Sequence, residues 1–101
     1  MTGHFSIFAW DRPGIAVLRE ETRSAHFRHI ETVIDQIAIA GPIRNEEGQN
    51  IGSLLVLKAA SPAEAEAIFR ADPYFKAGIW ERWEIHPFLP AAGEWIEGRI
   101  W

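Results

Sequence analysis

The chain has 101 residues, of which 14 are acidic and 10 basic, so its formal net charge is -4. This length fits one domain, residues 1–101, and the 48% hydrophobic and 24% charged content is that of a folded globular protein. The negative charge and the scattered basic residues argue against a nucleic-acid partner, and the absence of cysteine excludes disulfides, thiolate nucleophiles and zinc–cysteine sites.

The first ten residues, MTGHFSIFAW, lack the basic start and long apolar core of a signal peptide. No run in the sequence approaches the ~20 apolar residues of a membrane span. We therefore expect a soluble cytoplasmic protein with no membrane partner, which the lack of cysteine also fits.

The first two predicted elements are a strand and a helix. FSIFAWD (residues 5–11) is short and aromatic-rich, and it is stopped by Arg12-Pro13-Gly14, as expected of a buried strand before a turn. From about Arg19 to Gln36, apolar residues recur at three- and four-residue steps, which predicts an amphipathic helix. Its predicted apolar stripe consists of Phe27, Ile30, Val33, Ile34 and Ile37.

Two further strands are predicted in the middle of the chain. IAIAGPI (residues 37–43) reads as the second strand, and Gly41-Pro42 confines it to a sheet edge or ends it. A polar loop covers residues 44–50. GSLLVLKA (residues 52–59) is rich in the residue types of a strand buried on both faces.

A second helix begins at a clear capping signal. Ser61 is the predicted N-cap, Pro62 occupies the first helical position and Glu64 completes a capping box. The helix ends near Ala71 because Asp72 precedes a proline and is pushed out of the helical region. A carboxylate at this negative end of a helix costs roughly 0.3 to 1 kcal/mol, so we expect Asp72 to have a compensating partner.

IWERWEIHPF (residues 79–88) alternates imperfectly and predicts a fourth strand, followed by an apolar C-terminal extension, residues 91–101. The resulting order predicts an α+β, ferredoxin-like βαββαβ fold, with both helices on one face of a four-stranded antiparallel sheet. The other face also needs a cover. With five tryptophans and an apolar tail, the chain is expected to form a symmetric homodimer that buries sheet against sheet.

Two titratable residues are candidates for chemistry. His26 lies on the inward stripe of the first helix, where it is either a histidine packed on aliphatic side chains or a general base. Asp72 either caps nearby amides in an Asp-Pro turn, or orients a histidine and stabilises its protonated form. The second alternative would supply the partner that Asp72 needs.

The remaining polar candidates are less specific. His26 and His29 could form part of a metal site, but neither His4 nor His86 has the spacing of a further ligand, so no metal is expected. Arg23 could bind an anionic substrate, although a solvated helix charge is the commoner role. Ser53 follows Gly52 without the context of a nucleophile elbow.

Four segments together resemble the YCII-related (YciI-like) domain family over about residues 5 to 90. They are RSAHFRHIETVIDQIAIAGPI (residues 23–43), the Gly-Ser pair that opens the third strand, SPAEAEAIFRADPYFKAGIW (residues 61–80) and WEIHPF (residues 83–88). The resemblance implies a ferredoxin-like fold that dimerises into an α/β barrel, with an active site centred on His26 and Asp72. A related protein is a dechlorinating hydrolase of a chlorinated aromatic intermediate.

The leading hypothesis is a small cofactor-free enzyme that performs acid–base or hydrolytic chemistry on a small aromatic or carbonyl-containing molecule. His26 would be the base and Asp72 would hold its tautomer. The predicted substrate contacts are Arg23, Ser53, Tyr74, Phe75 and Trp80. One alternative is a non-catalytic ligand-binding or interaction module that uses the same dimer cleft. Another, from other dimeric α/β barrels, is a cofactor-independent oxygenase or a haem binder.

Overall fold

The computed structural model describes residues 2–100. Its main elements are β1 (Gly3–Asp11), α1 (Ala16–Thr32), β2 (Ile37–Arg44), β3 (Asn50–Ala59), α2 (Pro62–Arg70), α3 (Pro73–Lys76) and β4 (Trp80–Phe88). A 3-10 turn (Ile34–Gln36) follows α1. After β4, the chain forms a short ribbon of β5 (Ala92–Gly93) and β6 (Gly98–Arg99) around a second 3-10 turn.

The four long strands form one antiparallel sheet in the order β2-β3-β1-β4. This confirms the predicted α+β, ferredoxin-like arrangement. Because β2 is an edge strand, the backbone N–H that Pro42 lacks is not needed for a hydrogen bond in the interior of the sheet. Within residues 2–100, no helix combines the length and the apolar character needed to cross a membrane.

The hydrophobic core lies between the inner face of the sheet and α2. Alternate residues of β1 and β3 point into it, and α2 lies over β3 and β4. The core consists of Phe5, Ile7, Ala9, Leu55, Leu57, Ala59, Ala65, Phe69, Tyr74, Ile79 and Trp80. Helix α2 begins as predicted, since the Ser61 hydroxyl accepts a hydrogen bond from the backbone N–H of Glu64.

A β-bulge explains the imperfect alternation of the fourth strand. Trp10 pairs with Arg82, but Asp11 pairs with Trp80, so one extra residue lies in β4 at this point. The extra residue turns Trp80 to the inner face, where it is buried against Phe69. A strand without the bulge would bring the charged Glu81 inward instead.

Helix α1 differs from its prediction. It begins at Ala16, and the predicted apolar stripe was wrong at Phe27 and Ile34, which are 55% and 56% exposed. The one side chain that α1 buries is that of Arg19. The helix packs chiefly against α3 and not closely on the sheet, so space remains between α1 and the β2–β3 side of the sheet.

Candidate active site

A polar stripe of α1 faces the space between this helix and the sheet. Arg19, Arg23, His26 and Ile30 follow one another at steps of four, three and four residues, which places them on one side of the helix. Together with residues of β2 and β3, they line a cavity of about 400 Å³, here called the histidine cavity. This volume lies within the range of small-molecule sites.

His26 and Asp72, which are 46 positions apart, form a direct hydrogen bond. Nδ1 of His26 lies 2.8 Å from Oδ1 and 2.9 Å from Oδ2 of Asp72. Because an ionised carboxylate only accepts hydrogen bonds, Nδ1 is the donor in this contact, and in the neutral form of the ring the lone pair is then on Nε2. Nε2 makes no hydrogen bond with any of residues 2–100, and the His26 ring lines the histidine cavity.

Asp72 is held by the local structure of its own turn. It leaves α2 with extended backbone angles and becomes the N-cap of α3, where Oδ1 accepts a hydrogen bond of 2.9 Å from the backbone N–H of Tyr74. The side chain is therefore at the favourable end of α3 and has a histidine partner. Asp72 is only 1% exposed, so the hydrogen bonds to Tyr74 and to His26 are both needed to offset the cost of burying its carboxylate.

Tyr74 lies against two residues of the α1 stripe. Its ring stacks on His26 with centroids 3.8 Å apart, and the Arg19 guanidinium lies 4.9 Å from the Tyr74 centroid. Burial raises the pKa of Tyr74 above its ordinary 10.0, against the opposing effect of Arg19. The hydroxyl therefore stays protonated at neutral pH and can donate a hydrogen bond.

Arg19 joins the helix to the polar end of the sheet. Its Nη1 donates to both carboxylate oxygens of Asp11 at 3.2 Å, and its Nη2 donates to the Ser53 hydroxyl at 3.2 Å and to the Gly52 carbonyl at 3.4 Å. Burial raises the pKa of Asp11 above its ordinary 3.8, and the attraction of Arg19 only partly counteracts this. The result is a fixed guanidinium beside Tyr74.

A second cavity of about 480 Å³ adjoins the histidine cavity near the start of α1. Arg19, Arg23, Asn50 and Tyr74 line both cavities. Of the two cavities, His26 lines only the histidine cavity. The two cavities therefore form neighbouring parts of one cleft.

The predicted site residues divide into two groups. Arg23, Ser53 and Tyr74 lie at the histidine cavity together with His26, and Asp72 lies behind His26. Phe75 and Trp80 line neither cavity. Both pack against Phe69 in the aromatic core, because α3 and the bulged start of β4 turn these rings toward α2. The expectation that they form walls of the site is corrected accordingly.

The sequence interpretation missed Arg19, Asp11 and Arg44 as parts of the site. A signal was present for two of them: Asp11 ends an apolar strand with an inward-facing charge, and Arg19 lies seven residues before His26 on the same helix side. Arg44 lines the histidine cavity from β2. Nothing in its polar loop context distinguished it from a solvated charge.

A metal site is not formed by the residues that the structure describes. Among residues 2–100, no group of three or more His, Asp or Glu side chains lies close enough to hold an ion. His29, the other member of the histidine pair, lines neither cavity.

The fold and the site define a class: a small ferredoxin-like α+β domain with a buried carboxylate that holds a histidine at the wall of a cavity. The model of the YCII-related domain family matches residues 4–89. The chain belongs to this family. No curated protein matches the sequence.

The solved structures that match this chain include two that show its fold. One is TftG of Burkholderia phenoliruptrix, a 5-chloro-2-hydroxyhydroquinone dehydrochlorinase in complex with 2,5-dihydroxybenzoquinone. It is 26% identical, with a TM-score of 0.79, and the alignment covers 90% of this chain and 96% of that one. The other is a NIPSNAP family protein of Agrobacterium tumefaciens. It is 15% identical, with a TM-score of 0.55, and the alignment covers 90% of this chain and 94% of that one. The second likeness concerns the fold alone.

Proposed function

We propose that this protein is a small-molecule enzyme that works by acid–base chemistry, with His26 as the general base and Asp72 as the residue that positions it. One observation carries the proposal: Asp72 binds Nδ1 of His26, and Nε2 has no hydrogen-bond partner among residues 2–100 while the ring lines the histidine cavity. A base must come within about 2.6 to 3.2 Å of the atom whose proton it removes, and the cavity gives a substrate that access.

In the proposed reaction, Nε2 of His26 removes a proton from an O–H or an acidic C–H of the substrate. The electron pair left behind is delocalised onto a substrate oxygen, and the imidazolium is stabilised by the Asp72 carboxylate. The neutral Tyr74 hydroxyl donates a hydrogen bond to that oxygen. In an isomerisation the proton then returns to a carbon. In an elimination the electron pair freed by proton removal forms the new double bond, the bond from carbon to the leaving group breaks, its electron pair departs with the leaving anion, and the proton passes from His26 to solvent. With water as the proton donor, the same groups would support hydrolysis.

The proposed substrate is a small ring that carries hydroxyl or carbonyl groups. Support comes from TftG, whose structure holds 2,5-dihydroxybenzoquinone, and from the stacked, partly aromatic wall of the histidine cavity, to which Phe27 and Tyr74 contribute. Proton transfer by a histidine needs no cofactor, and none is part of the proposal.

The test is His26→Asn. The Asn Nδ2 occupies about the position of the imidazole Nδ1 and can still donate to Asp72, but the variant has no counterpart of Nε2. We expect turnover of a panel of chlorinated and hydroxylated hydroquinones, followed by chloride release and ultraviolet absorbance, to fall by about 10² to 10⁴. Binding of 2,5-dihydroxybenzoquinone should persist. His29→Asn, which changes a histidine outside both cavities, is the matched control.

Two results would contradict this function. Full activity of His26→Asn would remove the histidine from the chemistry. A wild-type protein that binds 2,5-dihydroxybenzoquinone but turns over no member of the panel would favour the alternative, a non-catalytic ligand-binding module.

We further propose that the protein acts as a homodimer that pairs the outer faces of two sheets. The support is the apolar character of that face, on which Phe8, Ile39 and Phe88 are each exposed by more than a third. Isolated apolar side chains on a surface need no explanation, but several exposed ones on the same sheet face are typical of an interface.

A further inference from the structure

The charged side chains that line the histidine cavity are all basic, although the chain as a whole has a net charge of -4. Arg19, Arg23 and Arg44 line it, and no aspartate or glutamate does. The carboxylate of Asp72 lies behind the His26 ring and is bonded to it. The acidic partners of Arg19 and Arg23, which are Asp11 and Glu20, line the adjoining cavity instead, so within the histidine cavity itself a substrate meets guanidinium groups and no carboxylate.

The three arginines are not equally available to a ligand. Arg19 is 9% exposed, and the hydrogen-bond donors of its two terminal nitrogens are used by Asp11, Ser53 and the Gly52 carbonyl. It contributes a fixed charge to the cavity but few free donors. Its position beside Tyr74 directs that charge toward the ring-binding region.

Arg23 and Arg44 have donors to spare. Arg44 uses Nε to bind the side-chain oxygen of Asn50 at 3.0 Å, so both of its terminal nitrogens have no partner within residues 2–100. Arg23 is bound through Nη2 to Glu20, in a pair whose side chains are both more than half exposed. Such an exposed pair contributes little, so a ligand anion can replace Glu20 at low cost.

These two arginines approach the cavity from different elements. Arg23 comes from the helix wall, three residues before His26, and Arg44 comes from the end of the edge strand β2. Guanidinium groups bind planar oxyanions through two parallel N–H donors. We propose that the histidine cavity binds its substrate as an anion, a carboxylate or an ionised enol, which Arg23 and Arg44 hold between helix and sheet. This inference rests on the proposed function and adds the charge of the substrate to it.

The experiment compares two probes of nearly equal shape, 2,5-dihydroxybenzoate and its neutral amide, 2,5-dihydroxybenzamide, by titration calorimetry. We expect the carboxylate to bind at least about ten-fold more tightly, because a hydrogen bond to a charged group is worth more than one to a neutral group. Arg23→Gln and Arg44→Gln should each reduce this preference, because each should weaken binding of the carboxylate more than binding of the amide. Arg44→Lys should restore part of it.

The matched control is Arg28→Gln, which removes the same charge from the exposed side of α1. Added salt should weaken binding of the carboxylate and not of the amide. Equal affinities of the two probes, no binding of either, or the same loss in Arg28→Gln as in Arg23→Gln would overturn the inference.

The His26 ring proton signals separate this inference from the function on which it rests. If the amide shifts those signals and the carboxylate binds no better, the anion site is wrong and the proposed function stands. If the carboxylate preference is present but neither probe shifts the His26 signals, the anion site stands and the proposed position of the substrate ring is wrong.

Discussion

Asp11 and Arg19 show how single charged residues are accommodated beside a core. Arg19 is buried, and its guanidinium is held by a carboxylate, a hydroxyl and a carbonyl. The charged form of Asp11 is still disfavoured, because the pKa of this carboxyl is raised by burial more than Arg19 lowers it. The ion pair therefore links α1 to β1, and the raised pKa of Asp11 makes the free energy of unfolding depend on pH.

We expect Arg19→Met to lower the free energy of unfolding by about 1 to 3 kcal/mol at neutral pH, since it leaves the part-buried Asp11 carboxylate without its cation. The measurement is urea unfolding followed by circular dichroism. The loss should shrink at acid pH, where Asp11 is protonated. A variant with Asp11→Asn added should recover much of the lost stability, and failure of the double variant to recover would contradict the role given to the pair.

Asp11 also gives a prediction for the pH dependence of the stability of the wild-type protein. The pKa of Asp11 in the folded protein lies above the ordinary 3.8, so the native state stays protonated at this residue to a higher pH than the unfolded state does. Its contribution to the free energy of unfolding therefore falls as pH rises from 3.8 through the folded pKa. In Asp11→Asn this part of the pH dependence should be absent, whereas the rest of the profile should be retained.

At the scale of elements, the site depends on how closely β3 approaches β1. A Cβ built at Gly52 would lie 2.5 Å from the carbonyl oxygen of Ala9, so the glycine allows a close contact between the strands. The same residue offers its own carbonyl to Arg19. The strand pairing and the position of the cationic side chain are thus coupled at one residue.

Gly52→Ala should therefore cost about 1 to 3 kcal/mol of stability, the usual effect of excess volume in a packed region, and should weaken ligand binding in the cavity. The matched control for stability is Gly41→Ala in β2, where a Cβ meets no atom within 4 Å. Thermal unfolding of both variants checks the prediction. Equal stability losses would mean that the general cost of replacing glycine in a strand, and not the contact with Ala9, is responsible.

At the scale of the whole molecule, the two faces of the sheet have different roles. The inner face carries the core and, at one end, the site; the outer face carries apolar side chains and the C-terminal ribbon. Residues 90–96 lie beside Leu54, Val56 and Phe88 and enclose a mainly apolar cavity of about 440 Å³. Much of the apolar character outside the core therefore lies on this side.

Pairing of two outer faces predicts a mass of about 23 kDa in solution, twice the 11.5 kDa of one chain, measured by light scattering. Phe8→Glu, in the central strand β1, should reduce the mass to that of one chain because it places a charge in the interface. Val17→Glu on α1, where the side chain is 71% exposed, should leave the mass unchanged. A wild-type mass of one chain would reject the homodimer.

The amino-acid sequence alone determined the order of the main elements, the N-cap of α2 at Ser61 and the family, and it indicated that Gly41-Pro42 either confines β2 to a sheet edge or ends it. These features depend on local rules: turn residues, caps and alternation act within a few residues. Only the tertiary structure decided that Asp72 meets His26, that α1 turns Arg19 rather than Phe27 inward, and that Phe75 and Trp80 belong to the core. Those outcomes depend on how a helix is rotated and where a bulge falls, and contacts across 46 positions leave no periodic trace in a single chain.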